Sequence, residues 1–465
     1  MPQKHPRYSV DTEVIVVGAG VAGLYAGHKL LQAGVPFIML EAADHAGGRV
    51  FSRSERNSQL GLVLDEGANL INSTDSLALR LMNHFNIHYV RRLKPGVQTM
   101  HYLVAGEIHD QESFDALLFR ESREAVNIIV NDQDAWHTDT ERDLNPRYID
   151  ESIANYIARI GAGPVLRVML KSFFWSEYGY DIRDLNLHVL FDYLEIDMVS
   201  PHFKLIPNVD EAYTVPRGTG QIAENLERLC HGNIRYGHAV KSIADNGLQI
   251  TVQAATQDGN VVTLTAHHLF FAAPFHSLKQ IDVSVEGLTQ EELADARSAS
   301  YAAGTKLHLK FKPGFETVYS YAGILLTDTG EQIWPSSTGQ GGAGLLTVLT
   351  GALPADGGVA EAQARQIVAV LERAFRHCAR NLGADRALAG DELSRHAEDL
   401  GFGFVGISDK ATFKDGGRTG NGSERRGDQS ACATFRCCEH QMPRLAAFKQ
   451  RVRAIGQHFG VHAEG

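Results

Sequence analysis

The chain has 465 residues, of which 44% are hydrophobic, and it carries a formal net charge of −11 with a pI near 6.0. This length exceeds a single typical domain and suffices for a sizeable core, so we expect two or three domains. The acidic balance argues against a nucleic-acid partner, because a basic face of the required density is lacking.

The sequence also lacks the features of a membrane or disulfide-stabilised protein. No stretch approaches the eighteen or so uninterrupted apolar residues of a membrane span, and no signal-peptide cleavage site follows the apolar run near the N-terminus. Five cysteines do not form a disulfide framework in a chain of this length. We therefore expect a soluble, cytoplasmic protein without a membrane partner, and its oligomeric state stays open.

Residues 12–49 have the pattern of a strand, a glycine turn, a helix and a second strand. Val14–Val17 is a continuous apolar run, typical of a parallel strand covered on both faces. Gly18, Gly20 and Gly23 follow at GxGxxG spacing. In this motif the first glycine allows a tight turn, the second lets the backbone approach a pyrophosphate, and the third lets the helix pack closely on its strand.

A helix is predicted from Val21, with its free N–H groups and positive dipole end directed at the phosphates. Ala22, in its first turn, is a further candidate for the cofactor site. A second strand over Val35–Leu40 ends at Glu41, eighteen residues after Gly23, where such a unit needs an acceptor for a ribose hydroxyl. Strand, helix and acid together predict a dinucleotide site; a glycine-rich turn without a ligand is the alternative.

Gly47, Gly48 and Arg49 place two unhindered backbone positions beside a guanidinium, which suits a second contact with a pyrophosphate. With the glycine turn and the acid before it, this segment resembles the N-terminus of the flavin-containing amine oxidase superfamily, which includes monoamine oxidases, polyamine oxidases, L-amino-acid oxidases and more distant desaturases. Many members carry an arginine where this chain has His45.

The resemblance implies noncovalently bound FAD and an α/β fold, in which a Rossmann-like FAD-binding domain is interleaved with an α+β substrate domain. It assigns residues 1–90 and 206–285 to the FAD-binding domain, with residues 400–465 as a candidate third segment. Residues 91–205 and 286–399 are then the substrate domain.

An Asp-x-Gly-Ala turn at Asp65 continues the resemblance. In the family the backbone of this turn passes beside the isoalloxazine ring, so Gly67 and Ala68 are implied to bind the cofactor. From residue types alone, an ordinary strand-to-helix turn capped by Ser73 or Thr74 explains the segment equally well.

The expected substrate domain begins with helical periodicity over Phe114–Val130 and Ile149–Ile160, separated by the polar stretch Asn131–Pro146. A group of aromatic residues follows, which either line an apolar pocket or, for most of them, belong to a helix core. They are Phe173, Phe174, Trp175, Tyr178 and Tyr180.

The second FAD-binding block is expected from Tyr213 onward, with a helix opening at Gly218–Gly220 and continuing through Leu229. Short strands are predicted around Ile234, over Val240–Ile243 and over Leu248–Ala254, with a hairpin turn at Gln257–Asn260. The resemblance places Val240 at a position whose backbone contacts the adenine, although strand burial alone also explains this residue.

The next strand alternates between apolar and basic or histidine side chains, which predicts a half-buried strand with one polar, solvated face. The apolar residues are Leu307, Leu309 and Phe311, and the polar residues are Lys306, His308, Lys310 and Lys312. By pattern alone Lys306 is one of several solvated lysines. The family has a lysine at the start of this strand that holds a water at the flavin N5, so Lys306 is the candidate catalytic residue.

Strands over Tyr319–Leu326 and Leu345–Leu349 and a helix over Val359–Asn381 complete the resemblance. After about Leu400 the family's closing segment with its aromatic pair is missing, and a glycine-, charge- and serine-rich run typical of disorder takes its place. Cys432, Cys437, Cys438 and His440 do not match the usual zinc spacing, so no metal site is predicted. A frameshifted tail would also explain this change in composition.

The resemblance implies that an amine is oxidised to an imine, which water hydrolyses, while dioxygen reoxidises the flavin and yields hydrogen peroxide. The cofactor would carry the chemistry, and the protein would orient the amine and exclude bulk water. An FAD-dependent desaturase of a hydrophobic substrate is one alternative, because the N-terminal motif is shared. A catalytically impaired flavin-fold remnant is another, suggested by the anomalous C-terminus.

Overall fold

A computed structural model describes residues 9–54, 62–92, 100–142, 145–197, 202–204, 210–298, 301–302, 304–311, 323–340, 344–352, 362, 365–371 and 408–409. The predicted disordered run, the C-terminal cysteine group, Lys312 and the start of the strand predicted at Tyr319 lie outside these residues.

The strands, in chain order, are β1 (Thr12–Val17), β2 (Phe37–Leu40), β3 (Ser52–Ser54), β4 (Val63–Asp65), β5 (Leu70–Ile71), β6 (Val90–Arg91), β7 (Met100–Val104), β8 (Glu107–His109), β9 (Glu195–Asp197), β10 (His202–Lys204), β11 (Tyr213–Thr214), β12 (Ile234–Arg235), β13 (His238–Asp245), β14 (Ile250–Thr256), β15 (Val261–Phe271), β16 (Asp282–Ser284), β17 (Gly304–Phe311), β18 (Ile324–Thr327), β19 (Glu331–Pro335), β20 (Gly344–Gly351) and β21 (Ser408–Asp409). The α-helices are α1 (Val21–Gln32), α2 (Ser76–His84), α3 (Gln111–Thr138), α4 (Pro146–Ile149), α5 (Ile153–Arg159), α6 (Pro164–Tyr178), α7 (Leu187–Tyr193), α8 (Gly220–Cys230) and α9 (Gln290–Ser298). Residues 365–371 are also helical, and His231–Asn233 and Phe275–Gln280 form 3-10 helices.

The chain divides into two compact units. Among the described residues, the first unit comprises residues 9–51 and 219–301, and the second comprises residues 52–218 and 302–409. Residues 52–90, which were predicted to belong with the FAD-binding segments, lie in the second unit.

The first unit is built on a sheet with the strand order β12-β2-β1-β15-β14-β13-β16. Strand β1 pairs in parallel with β2 on one side and β15 on the other. Its consecutive residues Val14–Val17 are all buried, so both faces of the strand are covered, as predicted. The hairpin predicted at Gln257–Asn260 joins the antiparallel strands β14 and β15. Helix α1 packs against α8, and the other face of β1 contributes Ile15 and Val17 to an apolar core.

The second unit contains a sheet with the order β21-β17-β20-β19-β18-β7-β8, and helix α6 packs against its β17–β20 region. Together with the first unit, this arrangement confirms the mixed α/β fold. The helix predicted over Ile149–Ile160 is present as α5, but its predicted start is wrong, because Ile149 ends a separate helix, α4, and α5 begins at Ile153. Ser152 caps the second of them, and its hydroxyl accepts from the Asn155 N–H at 3.2 Å.

The helix predicted to end at Val130 is too short, because α3 continues through the supposed polar loop to Thr138 with a kink at Ser122. Gln133 lies on the buried face of this extension, and its side-chain amide donates to the carbonyls of Phe191 and Leu194, both at 2.6 Å. Trp136 is buried one turn later. The polar composition of this segment therefore led to the wrong prediction of a loop. The helix buries Trp136 and the side-chain amide of Gln133, which is hydrogen-bonded.

Candidate functional site

The three glycines of the first turn are needed for different physical reasons. Gly18 has φ +99°, a conformation that L side chains rarely adopt, and its N–H donates to the Leu40 carbonyl at 2.8 Å. A Cβ added to Gly23 would lie 1.9 Å from the Gly18 carbonyl oxygen, so this glycine permits the close approach of α1 to the turn. The first and third predicted roles of the motif thus have direct counterparts in the structure.

Gly20 differs from both. Its backbone is extended, with φ −67° and ψ 173°, and a Cβ added there would meet no atom of the described residues within 4 Å. Neither backbone strain nor protein packing therefore requires glycine at this position. Open space over a non-strained glycine at the start of a helix is what a closely approaching ligand needs.

The second glycine segment lies directly on the first. The Gly47 N–H donates to the Ala19 carbonyl at 2.9 Å, and Gly47 forms a parallel bridge with Gly20. A Cβ on Gly48 would be 3.3 Å from the Gly20 Cα, and both Gly47 and Gly48 have positive φ angles. The two segments that were predicted to bind a pyrophosphate are therefore parts of one backbone surface.

The charges around this surface favour an anion. Helix α1 has neither a side-chain cap nor an acidic residue in its first turn, where Ala22 is exposed. Arg49 is half-buried and has no carboxylate partner among the described residues. Burial and, secondarily, the nearby Arg49 lower the pKa of His276 from its usual value, so this imidazole is neutral near pH 7. His45 pairs with Asp44 at 2.8 Å.

Glu41 stands at the end of β2, as predicted, and binds the turn itself. One carboxylate oxygen accepts from the Ala19 N–H at 2.6 Å and the other from the Ala43 N–H at 2.9 Å. Its backbone carbonyl accepts from the His238 N–H at 2.8 Å, which brings the start of β13, and with it half-buried Val240, to this end of the sheet. Glu41 therefore joins the glycine turn, β2 and β13.

In the second unit, a buried turn after β4 is held by side-chain hydrogen bonds. The Asp65 carboxylate accepts from the Ser52 hydroxyl at 2.5 Å and from the Asn69 amide at 2.7 Å. The Asn69 side-chain oxygen in turn accepts from the Trp334 indole N–H at 2.9 Å. Gly67 is buried and Ala68 half-buried within this turn, whose backbone carbonyls are left for other donors.

Lys306 supplies that donor. Its amino group donates to the Gly67 carbonyl at 2.5 Å and to the Asp65 carbonyl at 3.3 Å, and the side chain is only 1% exposed. The predicted solvated face of this strand is therefore wrong at Lys306 and His308, which are as buried as Leu307 and Leu309 on the opposite face. Residues 304–309 of β17 are all buried, so neither face of the strand meets solvent here.

Comparison with known proteins decides the family. Residues 21–390 match the profile of the family described as flavin containing amine oxidoreductase. The chain belongs to this family.

Its relatives are distant. It is 22% identical over 335 residues to an L-amino-acid oxidase of Vipera ammodytes ammodytes, a match that covers 65% of this chain and 62% of that protein. It is 25% identical over 397 residues to the flavin-dependent L-tryptophan oxidase RebO of Lentzea aerocolonigenes, covering 77% and 79% of the two chains. The chain thus spans about three fifths of the length of the viper oxidase.

Solved structures share the fold. A putrescine oxidase determined with putrescine superposes with a TM-score of 0.63 at 14% identity, covering 96% of this chain and 99% of that one. Cyclohexylamine oxidase from Brevibacterium oxydans IH-35A gives a TM-score of 0.62 at 18% identity, covering 81% and 82%.

The cofactor of this flavoprotein family is FAD, and the first unit fits it. A pyrophosphate is suited by the open space over Gly20, by the start of α1 without a side-chain cap, and by Arg49, which has no carboxylate partner in the described part of the chain. Glu41 suits a ribose hydroxyl, because each carboxylate oxygen has a second lone pair beyond the amide it already accepts from. The individual contacts of these residues, and of Val240 with adenine, remain predictions.

The aromatic residues of α6 are mostly core, as expected from the sequence. Phe173 and Phe174 are fully buried, and Tyr178 is buried against Tyr193 with ring centroids 5.1 Å apart. Trp175 occupies the space above two glycines, since a Cβ added to Gly351 would lie 2.2 Å from its ring. Its contacts are those of a packing residue.

The sequence did not predict the residues that surround Lys306 and hold the turn at residues 65–69. Asn69 and Trp334 are 265 positions apart, and their hydrogen bond had no local signal. His308 had one, since it stands two residues after Lys306 and so shares its face of the strand.

Two structural absences concern only the part of the chain that the structure describes. No group of three or more His, Cys, Asp or Glu side chains there could hold a metal ion. No helix there is long and apolar enough to cross a membrane.

Proposed function

We propose that this flavoprotein oxidises a primary or secondary amine, or an amino acid, to the imine, with dioxygen reduced to hydrogen peroxide. The observation that carries the proposal is the buried amino group of Lys306, held by the carbonyls of Asp65 and Gly67. When bound, FAD supplies the two-electron acceptor and passes the electrons to dioxygen.

The environment of Lys306 is costly for a purely structural residue. In its protonated form the group has three donors, of which two carbonyls use two, leaving one for a water. Its hydrogen-bond partners among the described residues are neutral carbonyls. A buried charge without a paired carboxylate is penalised by several kcal/mol. A methionine would pack here without that penalty, so the lysine is best explained by a chemical task, which the family resemblance identifies as holding a water at the flavin N5.

The same environment sets the protonation state of the substrate. Oxidation at the carbon beside the nitrogen requires the neutral amine, whose lone pair is available. Desolvation and the repulsion of a neighbouring cation both favour the neutral form of an entering amine. We propose that Lys306 contributes to this selection in addition to holding the water.

The names of the relatives support both amino acids and other amines as substrates and do not distinguish between these two classes. The viper protein and RebO are named for the oxidation of amino acids, and the two solved oxidases are named for putrescine and cyclohexylamine. A panel that contains L-amino acids, diamines and cyclic monoamines therefore covers the proposed range.

The test begins with an absorbance spectrum of the purified protein, followed by anaerobic mixing with each member of the panel. We expect flavin absorbance that is bleached by at least one amine, and peroxide equal to the amine consumed once oxygen is admitted. Bleaching only by a hydrophobic compound without an amine would support the desaturase alternative. A colourless protein that gains no thermal stability from added FAD would support the remnant and exclude the oxidase.

A further inference from the structure

His308 is a buried imidazole beside the buried lysine. Alternating side chains of β17 put Lys306 and His308 on the same face of the sheet. On that face Lys306 is opposite Leu349 and His308 is opposite Thr347, which is in turn opposite Trp334 of β19. Lys306 and Trp334 both donate to the turn at residues 65–69. His308 shares its strand with Lys306 and its cross-strand row with Trp334.

The imidazole is oriented from one side by two hydroxyl groups. Its Nδ1 is 3.0 Å from the Thr347 hydroxyl, which lies 2.5 Å from the hydroxyl of Ser336. Its Nε2 is buried and has no hydrogen-bond partner among the described residues. The Asp65 carbonyl, which accepts from Lys306, acts on the ring and favours its protonated form, although burial outweighs this effect.

The protonation state of the ring follows from its surroundings. Burial and, secondarily, Lys306 lower the pKa of His308 to about 3, so the ring is neutral near pH 7. A neutral ring has one N–H. If Ser336 donates to Thr347 and Thr347 donates to Nδ1, the hydrogen of the ring is on Nε2 and is available to the Asp65 carbonyl.

A leucine would fill this position without leaving a buried nitrogen unsatisfied. An unsatisfied buried polar atom costs free energy comparable with a lost hydrogen bond, and each such atom in a folded protein calls for an explanation. Here the explanation is local, because the groups around His308 are the lysine, the carbonyl that holds the lysine, and the hydroxyl pair that orients the ring.

We propose that His308 is a positioning residue for Lys306: its imidazole, oriented by Thr347 and Ser336, supports the Asp65 carbonyl to which the Lys306 amino group donates. The inference deepens the proposed function and rests on it only for the role of Lys306 at the flavin. Loss of the ring should therefore change what Lys306 does and leave cofactor binding intact.

The test uses the full-length holoprotein and needs no substrate, because the bound flavin is reduced with light and its reoxidation by oxygen is followed by stopped flow. We expect His308→Leu and Thr347→Val each to slow reoxidation about three- to tenfold, with unchanged flavin content. His308→Gln and Thr347→Ser, which keep a donor and an acceptor, should restore at least half of the wild-type rate. The double variant His308→Leu/Thr347→Val should be no slower than His308→Leu, since both act through one contact.

A His308→Leu protein that retains flavin and reoxidises at the wild-type rate would overturn the proposal, and so would independent, multiplying effects of the two single variants. Thr347→Val replaces a hydroxyl by a methyl group and decides the question should His308→Leu fail to fold. Failure to rescue with His308→Gln would also count against positioning by hydrogen bonds.

A second measurement separates this proposal from the proposed function. The imidazole resonance that disappears in His308→Gln is followed by NMR from pH 8 to pH 5, in the wild type and in Lys306→Met. We expect a neutral ring throughout this range in the wild type. In Lys306→Met the resonance itself should move at every pH measured, because a nearby positive charge is removed, and the pKa should rise. A resonance that does not respond to Lys306→Met would refute the contact, even if no amine reduces the flavin; a response would uphold the contact in the same circumstances.

Discussion

Replacing Gly20 by alanine tests whether the first glycine turn holds the cofactor. A Cβ at this position meets no described atom within 4 Å, and the backbone is already extended. Its methyl group would therefore occupy only the space that we assign to the pyrophosphate. Gly23→Ala is the matched control, because its Cβ would lie 1.9 Å from the Gly18 carbonyl oxygen in the protein itself.

The two variants should separate folding from binding. Gly20→Ala lowers the entropy of the unfolded chain, which stabilises by about 0.4–1 kcal/mol, and loses a residue preferred at a helix N-cap, which costs about as much. The stability of the apoprotein should thus change by less than about 0.5 kcal/mol. FAD at a hundred times its wild-type Kd stabilises by about 2.7 kcal/mol, and Gly20→Ala should lose most of this increment because its Kd is much higher. Gly23→Ala should destabilise even the apoprotein, by about 1–3 kcal/mol or more, because helix α1 must move.

The assay is thermal unfolding of the apoprotein with and without saturating FAD, together with the flavin absorbance retained after gel filtration. Without FAD, Gly20→Ala should melt like the wild-type apoprotein. With FAD at a hundred times the wild-type Kd, it should shift far less than the wild type, and Gly20→Val should shift no more than Gly20→Ala. A Gly20→Ala protein that binds FAD with the wild-type Kd would refute the assignment of the open space to the cofactor. An apoprotein as unstable as that of Gly23→Ala would refute the packing argument.

Further predictions address the lysine, the acid, the tryptophan and pH. Lys306→Met should retain flavin and slow reoxidation about tenfold or more, as loss of a charged hydrogen bond worth about 1.5–3 kcal/mol implies. The exposed control Lys171→Met should retain flavin and reoxidise at the wild-type rate, and equal stopped-flow rates of the two variants would remove Lys306 from the mechanism. Glu41→Gln should raise the Kd for FAD about tenfold, because an amide cannot accept from two backbone N–H groups with both of its ends; an unchanged titration would contradict this. Gly351→Ala should lower the melting temperature and leave FAD affinity unchanged, whereas altered affinity would speak against a packing role for the ring above it. The stabilisation that depends on neutral His308 is fully present above pH 6.5 and is lost as pH falls toward 3, by about 1.4 kcal/mol per pH unit. His308→Gln should therefore lose less stability than the wild type between pH 6.5 and pH 5. Melting temperatures that fall in parallel with pH for both proteins would contradict a buried neutral ring.

The first unit could be predicted in detail because its signals are local. The apolar run of β1, the glycine spacing and the acid after β2 all lie within residues 12–41 and describe one strand-turn-helix-strand unit. The sequence could not distinguish the reasons for the three glycines. Only the backbone angle at Gly18, the 1.9 Å approach at Gly23 and the open space at Gly20 separate a turn, a packing contact and a ligand position.

The buried lysine shows where local pattern fails. Alternation in β17 indicates which residues share a face and cannot tell what covers that face. The groups that cover Lys306 are carbonyls 239 and 241 positions earlier in the chain, and a basic residue facing them follows the same alternation as one facing water. The family resemblance supplied the expectation that Lys306 has a role at the flavin, which composition and periodicity could not supply. Neither the resemblance nor the pattern predicted that His308 is buried.

For Glu41, the prediction from sequence and the contacts in the structure concern the same carboxylate. Sequence distance alone placed a carboxylate at the end of β2 for a ribose, and the structure has that carboxylate accepting from Ala19 and Ala43. These roles are compatible, because a carboxylate has about four lone-pair sites and the two amides use two. They are also coupled, since the Ala19 N–H belongs to the same glycine turn that faces the cofactor space over Gly20. Binding of the ribose end would thus tighten the turn that receives the pyrophosphate, so Glu41→Gln combined with Gly20→Ala should weaken FAD binding by less than the product of the two separate effects. Strictly multiplicative Kd values would show instead that the acid and the turn act on the cofactor independently.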